Sequence, residues 1–448
     1  MTAVRDGSDP VQAIAALEAR LAATPKATRP HEHAAAAYRL GLARAESPVG
    51  DPAENLRAAL SSYDVAASIF DPRHDPVEHA RVLNAAGAAH RALGHPNKAA
   101  DLFGQAATLL DTGNNDHERA AALNNLGLVR AELGQRADAV TAFDEAAGLF
   151  DVESPDGRRG RASALHNRGL VRAAGGTPED LRAAITDHKE ARDAVEREEA
   201  PYHHALVEHS IGVVATGLAD LEPASRDQHL ATAIEAFTSA LDMFTRSAFP
   251  FQHALASHNF GRALAATGDL LDLRRAVASF EDAVSVLDPR MHAEPWRHAH
   301  ASLESSEAEL SRHTGGGTVH RAASFAELVG GVSPSERILL LRGRLSRLLV
   351  LPAQARDAAL AELAYASGSL PEDAALGYMT AELIVLMELP KEGLEAALAI
   401  RVATHQRLDP ERMLVADRAL DAAVGDALGL TQRLLVREHL ASLGFERP

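Results

Sequence analysis

Apolar residues in this chain recur three and four positions apart, in long stretches punctuated by single glycines. The stretch LNNLGLVRAELGQRADAVTAFDEAAGLF shows the unit most sharply: Leu126 and Gly127 open it, Gly134 breaks it, and Ala139, Phe143 and Ala146 follow at spacings of four and three. That spacing puts the last three residues on one helix face, where small residues admit a neighbour and the ring fills the gap. The unit therefore predicts two helices, A and B, joined by a turn at Gly134. Gly127 falls inside helix A, where glycine costs about 1 kcal/mol relative to alanine, so a partner helix is expected to pass too closely for a side chain.

The first glycine of the unit returns at Gly41, Gly87, Gly127, Gly169, Gly212 and Gly261, in steps of 46, 40, 42, 43 and 49 residues. The Ala-Phe-Ala ladder returns at Ala99, Phe103 and Ala106, at Ala233, Phe237 and Ala240, and at Ala276, Phe280 and Ala283. Tyr63 takes the ring position between Ala59 and Ala66, and His188 takes it between Ala184 and Ala191. Such a period marks a stacked repeat array. With Leu-Gly on helix A and Ala-x3-Phe-x2-Ala on helix B, the chain resembles the tetratricopeptide family, in the long-repeat form common in bacteria. The resemblance implies an all-α, right-handed superhelical solenoid over residues 31–312, six helix pairs plus a terminal helix, with the extra residues emerging as loops.

Outside the array, residues 1–30 are expected to form a leader with a capping helix. Gly315, Gly316, Gly317 and Thr318 mark a linker over 313–319, because no lysine follows them and no strand precedes them as a phosphate loop would need. The glycine period is not followed beyond this point, but helical patterning continues through 320–448. Ser333 with Glu336, and Ser369 with Glu372, have capping-box spacing. The leucine-rich runs LLLRGRLSRLLVL and AELIVLMEL carry too much apolar surface to stay free, so this region is expected to cap the last repeat and is a candidate homodimer surface.

Composition narrows the chemistry. The chain has 448 residues and no cysteine, which excludes disulfides, thiolate metal sites and thiol catalysis. Its formal charge of -17 repels a phosphate backbone, and the one basic run, Arg337, Arg342, Arg344 and Arg347, reads as the polar face of an apolar helix. No nucleic-acid or membrane partner is expected. No basic leader precedes an apolar run and no apolar stretch is long enough to span a bilayer, so a cytoplasmic protein is expected.

Histidine is abundant, at 22 residues. Eight positions before the glycines stand His33, His79, Arg119, Arg161, His204 and His253, with His298 in the terminal helix; this register reads as packing or capping. Three positions before the glycines stand Tyr38, Asn84, Asn124, His166, His209 and His258, followed by Asn125, Asn167 and Asn259 in the next register. The family resemblance implies that Asn84, Asn124, Asn125, His166, Asn167, His209, His258 and Asn259 line a concave groove holding an extended peptide. Asn and His offer both donors and acceptors for such a ligand. Arg130 and Arg172, three positions after their glycines, are candidate anion contacts or ion-pair partners between repeats. The expected function is a protein- or peptide-binding scaffold without a cofactor and without a recognisable catalytic set. The alternative is a divalent-metal site or metal-dependent enzyme built on His204, Glu208 and His209, since His204 and Glu208 share a helix face.

Overall fold

A computed structural model describes residues 10–111, 115–314, 318–349 and 351–444, and every regular element among them is helical. The chain divides into two compact units, residues 1–214 and 215–448. The first holds α1 (Pro10–Ala22), α2 (Pro30–Ala45), α3 (Pro52–Ala67), α4 (Pro76–Ala92), α5 (Pro96–Leu109), α6 (Asp116–Glu132), α7 (Arg136–Leu149), α8 (Pro155–Ala173) and α9 (Pro178–Asp193), and the boundary falls within α10 (Pro201–Leu221). Helices α2/α3, α4/α5, α6/α7 and α8/α9 are packed pairs, and α1 lies against α2.

Local chemistry sets these boundaries. Proline stands in the first turn of α2, α3, α4, α5, α8 and α9, where its missing N–H is no loss. Side chains of Asp51, Ser154 and Thr177 cap α3, α8 and α9 by accepting from Glu54 N (2.8 Å), Gly157 N (3.0 Å) and Asp180 N (3.1 Å). Gly94 and Gly134 end the A helices α4 and α6 at φ 76° and 74°, a conformation that favours glycine. The following residues close the motif, with His95 N bonded to His90 O and Gln135 N to Arg130 O.

In α2, α4, α6 and α8 the glycine of the A helix faces the ring of its own B helix. A β-carbon on Gly87 or Gly127 would lie 2.7 Å from the ring of Phe103 or Phe143, and one on Gly41 would lie 2.4 Å from Tyr63. The expected close approach is present, and the partner is the ladder ring itself.

The second unit contains α11 (Arg226–Met243), α12 (Pro250–Ala266), α13 (Leu270–Val286), α14 (Ala293–Thr314), α15 (Thr318–Gly331), α16 (Pro334–Leu349), α17 (Ala353–Ser367), α18 (Glu372–Leu386), α19 (Lys391–His405), α20 (Pro410–Ala422) and α21 (Leu430–Ser442). Helices α12 and α13 repeat the pair, with Gly261 against Phe280. The glycine run expected as a linker, Gly315–Gly317, lies outside the described residues. Beyond it the helices stack in two rows, α13–α16–α18–α20 and α15–α17–α19–α21. A single apolar core runs from Ala278 of α13 through Leu341, Tyr378 and Leu398 to Leu440 of α21, so these helices bury the face of α13.

The Glu336 half of the Ser333 box forms: Glu336 Oε2 accepts from Ser333 N at 3.2 Å and from Ser333 Oγ at 2.8 Å. The Ser369 box does not: α18 starts two residues later than the spacing implied, Pro371 takes the cap position, and Ser369 Oγ donates to Tyr365 O. The arginine run of α16 is not a free polar face. Arg337 donates to Val329 O and Gly330 O at the end of α15, and Arg342 grips Glu388 with two bonds of 2.8 and 2.7 Å. Arg344 and Arg347 converge on buried Glu281 of α13, each at 3.0 Å.

Candidate functional site

The groove residues expected from the sequence lie on the A helices and form a ladder. In the first unit Asn125 Nδ2 donates to Asn84 Oδ1 at 2.9 Å, joining α6 to α4, and Asn167 Nδ2 donates to Asn124 Oδ1 at 3.2 Å, joining α8 to α6. The register three positions before the glycine thus accepts from the next helix's register two positions before it. Each rung uses one donor and one acceptor of two amides, and the remaining Nδ2 of Asn84 and Asn124 and Oδ1 of Asn125 and Asn167 have capacity for a ligand. All four residues are partly exposed. Ion pairs flank the ladder on the same helices: Arg81 meets Glu118 at 2.5 Å and Arg91 meets Glu132 at 2.6 Å, both joining α4 to α6.

One position after the glycines runs a strip the sequence reading did not single out. Ala88 is exposed, Leu128 is partly exposed, and Leu170 and Val213 are 46 % and 43 % exposed. Aliphatic residues at that exposure, in register on successive A helices, form an apolar edge beside the amides. The signal was available in the glycine alignment, because the residue after each of these glycines is aliphatic or alanine.

The histidines separate into different environments. In the eight-before register His33, His79 and His253 donate Nδ1–H to Thr24 O (2.6 Å), Phe70 O (2.7 Å) and Phe244 O (2.7 Å), nine residues upstream. Arg161 does the same to Ala147 O at 2.9 Å. These side chains satisfy the orphan carbonyls at the end of the preceding helix, as the capping reading expected. His253 goes further: its Nε2 lies 2.5 Å from Asp282 Oδ2, which also accepts from Ser257 Oγ at 3.0 Å, all buried in the second unit. Both ring nitrogens of His253 thus have a hydrogen-bond partner, which fixes the ring between the end of α11 and α13. Burial opposes ionisation of Asp282, but His253, Arg246 and Ser257 outweigh it and hold the carboxyl below its usual range.

In the three-before register the side chain packs against the B-helix ring. Tyr38 lies 6.1 Å from Tyr63, His166 5.0 Å from His188 and His258 5.6 Å from Phe280, centroid to centroid. His258 also places Nε2 3.2 Å from Ser302 Oγ of α14. Burial pushes His258 and His209 down to about 4. Asn259 belongs to the same A-helix face in the second unit and is partly exposed.

Arg130 Nη1 donates to Asp138 O at 3.3 Å across the turn of its own pair. Arg172 grips Asp187 through both carboxylate oxygens, at 2.7 and 2.8 Å. Arg168 binds the same carboxylate at 2.7 Å and also pairs with Asp144, tying α7, α8 and α9 together. Glu208 has Arg192 Nη1 at 3.4 Å. Among the described residues no group of three or more His, Asp or Glu side chains stands where it could hold a metal ion, so the metal reading has no gathered donor set behind it.

No family model matches the chain and no curated protein matches it significantly. Among solved structures, the crystal structure of yeast Tom70 aligns with 93 % of this chain and 99 % of its own, at 15 % identity and a TM-score of 0.21. At that similarity no property of Tom70 carries over. The assignment of fold class rests on this chain's own geometry, an all-α array of helix pairs clamped by a glycine and a ring.

Proposed function

We propose that this protein is a binding scaffold whose A-helix face in the first unit, along α4, α6 and α8, holds an extended segment of a protein partner. The observation that carries the reading is the amide ladder with unused donors and acceptors, set beside the aliphatic edge of Ala88, Leu128 and Leu170. Amides suit the backbone of an extended chain, and an aliphatic edge suits its apolar side chains. The partner is a protein or peptide, with no cofactor. The arginines of α16 are engaged inside the second unit, which leaves that run no role in gripping phosphates. Among the described residues no helix is long and apolar enough to cross a membrane. A cytoplasmic location, a boundary near residue 312 and a homodimer through residues 320–448 belong to the same proposal.

The test is affinity capture from lysate with the intact chain, followed by Asn124→Ala and Leu170→Glu. Loss of the same captured protein with both variants, each still folded by circular dichroism, supports the groove. Undiminished capture by both moves the interface elsewhere.

A further inference from the structure

His188 occupies the ring position that Tyr63, Phe103, Phe143 and Phe280 occupy in other pairs, and its ring meets Gly169 in the same way, 2.5 Å from where a β-carbon would stand. It is 0 % exposed, and neither ring nitrogen has a hydrogen-bond partner. Beside it, His166 is 6 % exposed with Nδ1 unpartnered. His203 of α10 lies 5.9 Å from His166, edge to face, with Nε2 unpartnered. Burying a polar group without a partner costs roughly 1–3 kcal/mol, so an imidazole is a poor substitute for phenyl here on stability alone. What it adds is the capacity to take up a proton.

The geometry points to a proton-triggered latch at the α8–α9–α10 junction: with His166, His188 and His203 neutral the junction stays packed, and protonation of the cluster opens it locally. The surrounding charges do not relieve a proton placed there. From α8, Arg168 and Arg172 face α9, and both saturate Asp187, the most buried carboxylate nearby. Asp144 of α7 and Glu190 of α9 lie with Arg168. Arg192 of α9 engages Glu208 of α10, and α10 adds His204 and His209 rather than a further acid. Lys189 and Asp193 of α9, Arg197 and Glu198 of the α9–α10 loop and Tyr202 of α10 are further ionisable groups nearby, and Arg197, Arg192, Asp193 and Glu198 all act on His204. Burial drives His188 down to about 4, and burial with repulsion from His188, His203 and His209 drives His166 down to about 3.

The sign follows. A histidine depressed in the closed state and ordinary in the open state favours closure fully above about pH 6.5, and this preference is lost as pH falls toward about 4. Between pH 7.5 and 5.0 each such site raises the opening equilibrium about 30-fold, and His166 with His188 together about 1,000-fold.

Hydrogen exchange of the full chain at pH 7.5 and 5.0, corrected for intrinsic exchange, reads this directly and needs no binding partner. Opening of residues 155–214 should rise by about three orders of magnitude while residues 76–149 change far less. His188→Phe with His166→Asn gives this pair the residues of its neighbours, Phe143 and Asn124, and should remove the share of these two sites, leaving the smaller response of His203 and His209. Equal acid responses in the two segments, or a double variant whose residues 155–214 open in acid as much as those of the unsubstituted protein, would overturn the latch. Should the double variant not fold, the comparison of segments in the unsubstituted protein decides alone, with His188→Phe as the second arm.

Discussion

Alanine in place of Gly127 and alanine in place of Gly104 should shift stability in opposite directions, although both glycines lie inside helices. At Gly104 in α5 a β-carbon meets nothing within 4 Å, so the substitution should contribute only the helix preference of alanine, a gain of up to about 1 kcal/mol. At Gly127 the same gain competes with a collision: three ring atoms of Phe143 would lie 2.7, 2.8 and 2.8 Å from the new carbon. Phe143 is 0 % exposed, so the ring can retreat only by displacing its neighbours. Overpacking of this kind costs about 1–3 kcal/mol, which exceeds the helix gain and leaves a net loss of about 1–2 kcal/mol. Repeat arrays open in parts, so native-state hydrogen exchange of α6 and α7 is the appropriate assay, with urea unfolding as a second measure. Phe143→Leu should cost stability alone yet relieve part of the loss in the Gly127→Ala background, giving a favourable coupling in a double-mutant cycle. Stabilisation by both alanines, or the absence of coupling to Phe143, would refute the clamp.

Other outcomes follow from the same geometry. A cycle of Asn84→Ala and Asn125→Ala should show a coupling of about 1 kcal/mol in exchange of α4 and α6, the net worth of one amide bond. Asp282→Asn should destabilise the second unit by about 3–5 kcal/mol in urea, because the buried network of His253, Ser257 and Arg246 loses its one carboxylate. Since Asp282's carboxyl is held below its usual range, its own contribution should persist at neutral pH and be lost only as acid titration passes below the ordinary aspartate value. Glu281→Ala should loosen α16 by about 3 kcal/mol, read as faster exchange of α16 alone, because Arg344 and Arg347 lose a buried partner. Ending the chain near Ser311 should expose the face of α13 and give aggregation or lower stability by light scattering and circular dichroism; an equally stable soluble product would show that α15 and α16 are not a cap.

The helix pairs were legible because the clamp repeats: Gly127 and Phe143 occupy fixed offsets, and the same steric conflict recurs at Gly41, Gly87, Gly169 and Gly261. The amide rungs were only half legible. Asn84, Asn124, Asn125 and Asn167 stood out in alignment, but that one register accepts from the next helix's other register depends on the lateral offset of α4, α6 and α8, which sequence spacing does not contain. The C-terminal helices hid a period of their own. Leu351, Leu370, Leu389, Leu408 and Leu428 recur at intervals of 19, 19, 19 and 20 residues, each just before a helix begins. Leucine is too common, and a one-helix period too short, to announce itself as the glycine did. The arginines of α16 were misread for a different reason: Glu281 lies 66 residues before Arg347, and an ion pair of that span leaves no local trace.

The histidines show why residue type alone decides little. His253 and His188 are both buried in helix pairs of the same design, His253 near the start of an A helix and His188 at the ring position of a B helix. Nδ1 of His253 meets the carbonyl of Phe244 and Nε2 meets Asp282, so both nitrogens have partners. His188 meets Gly169 and His166, with a partner for neither nitrogen, so a proton is expelled. The first arrangement ties a helix end and stabilises wherever Asp282 is ionised. The second stabilises only while the ring is neutral, and this asymmetry makes the packing of the α8–α9 pair depend on pH. A phenyl ring at residue 188 should reduce that dependence at a gain in stability at neutral pH, because it needs no hydrogen-bond partner in the same space.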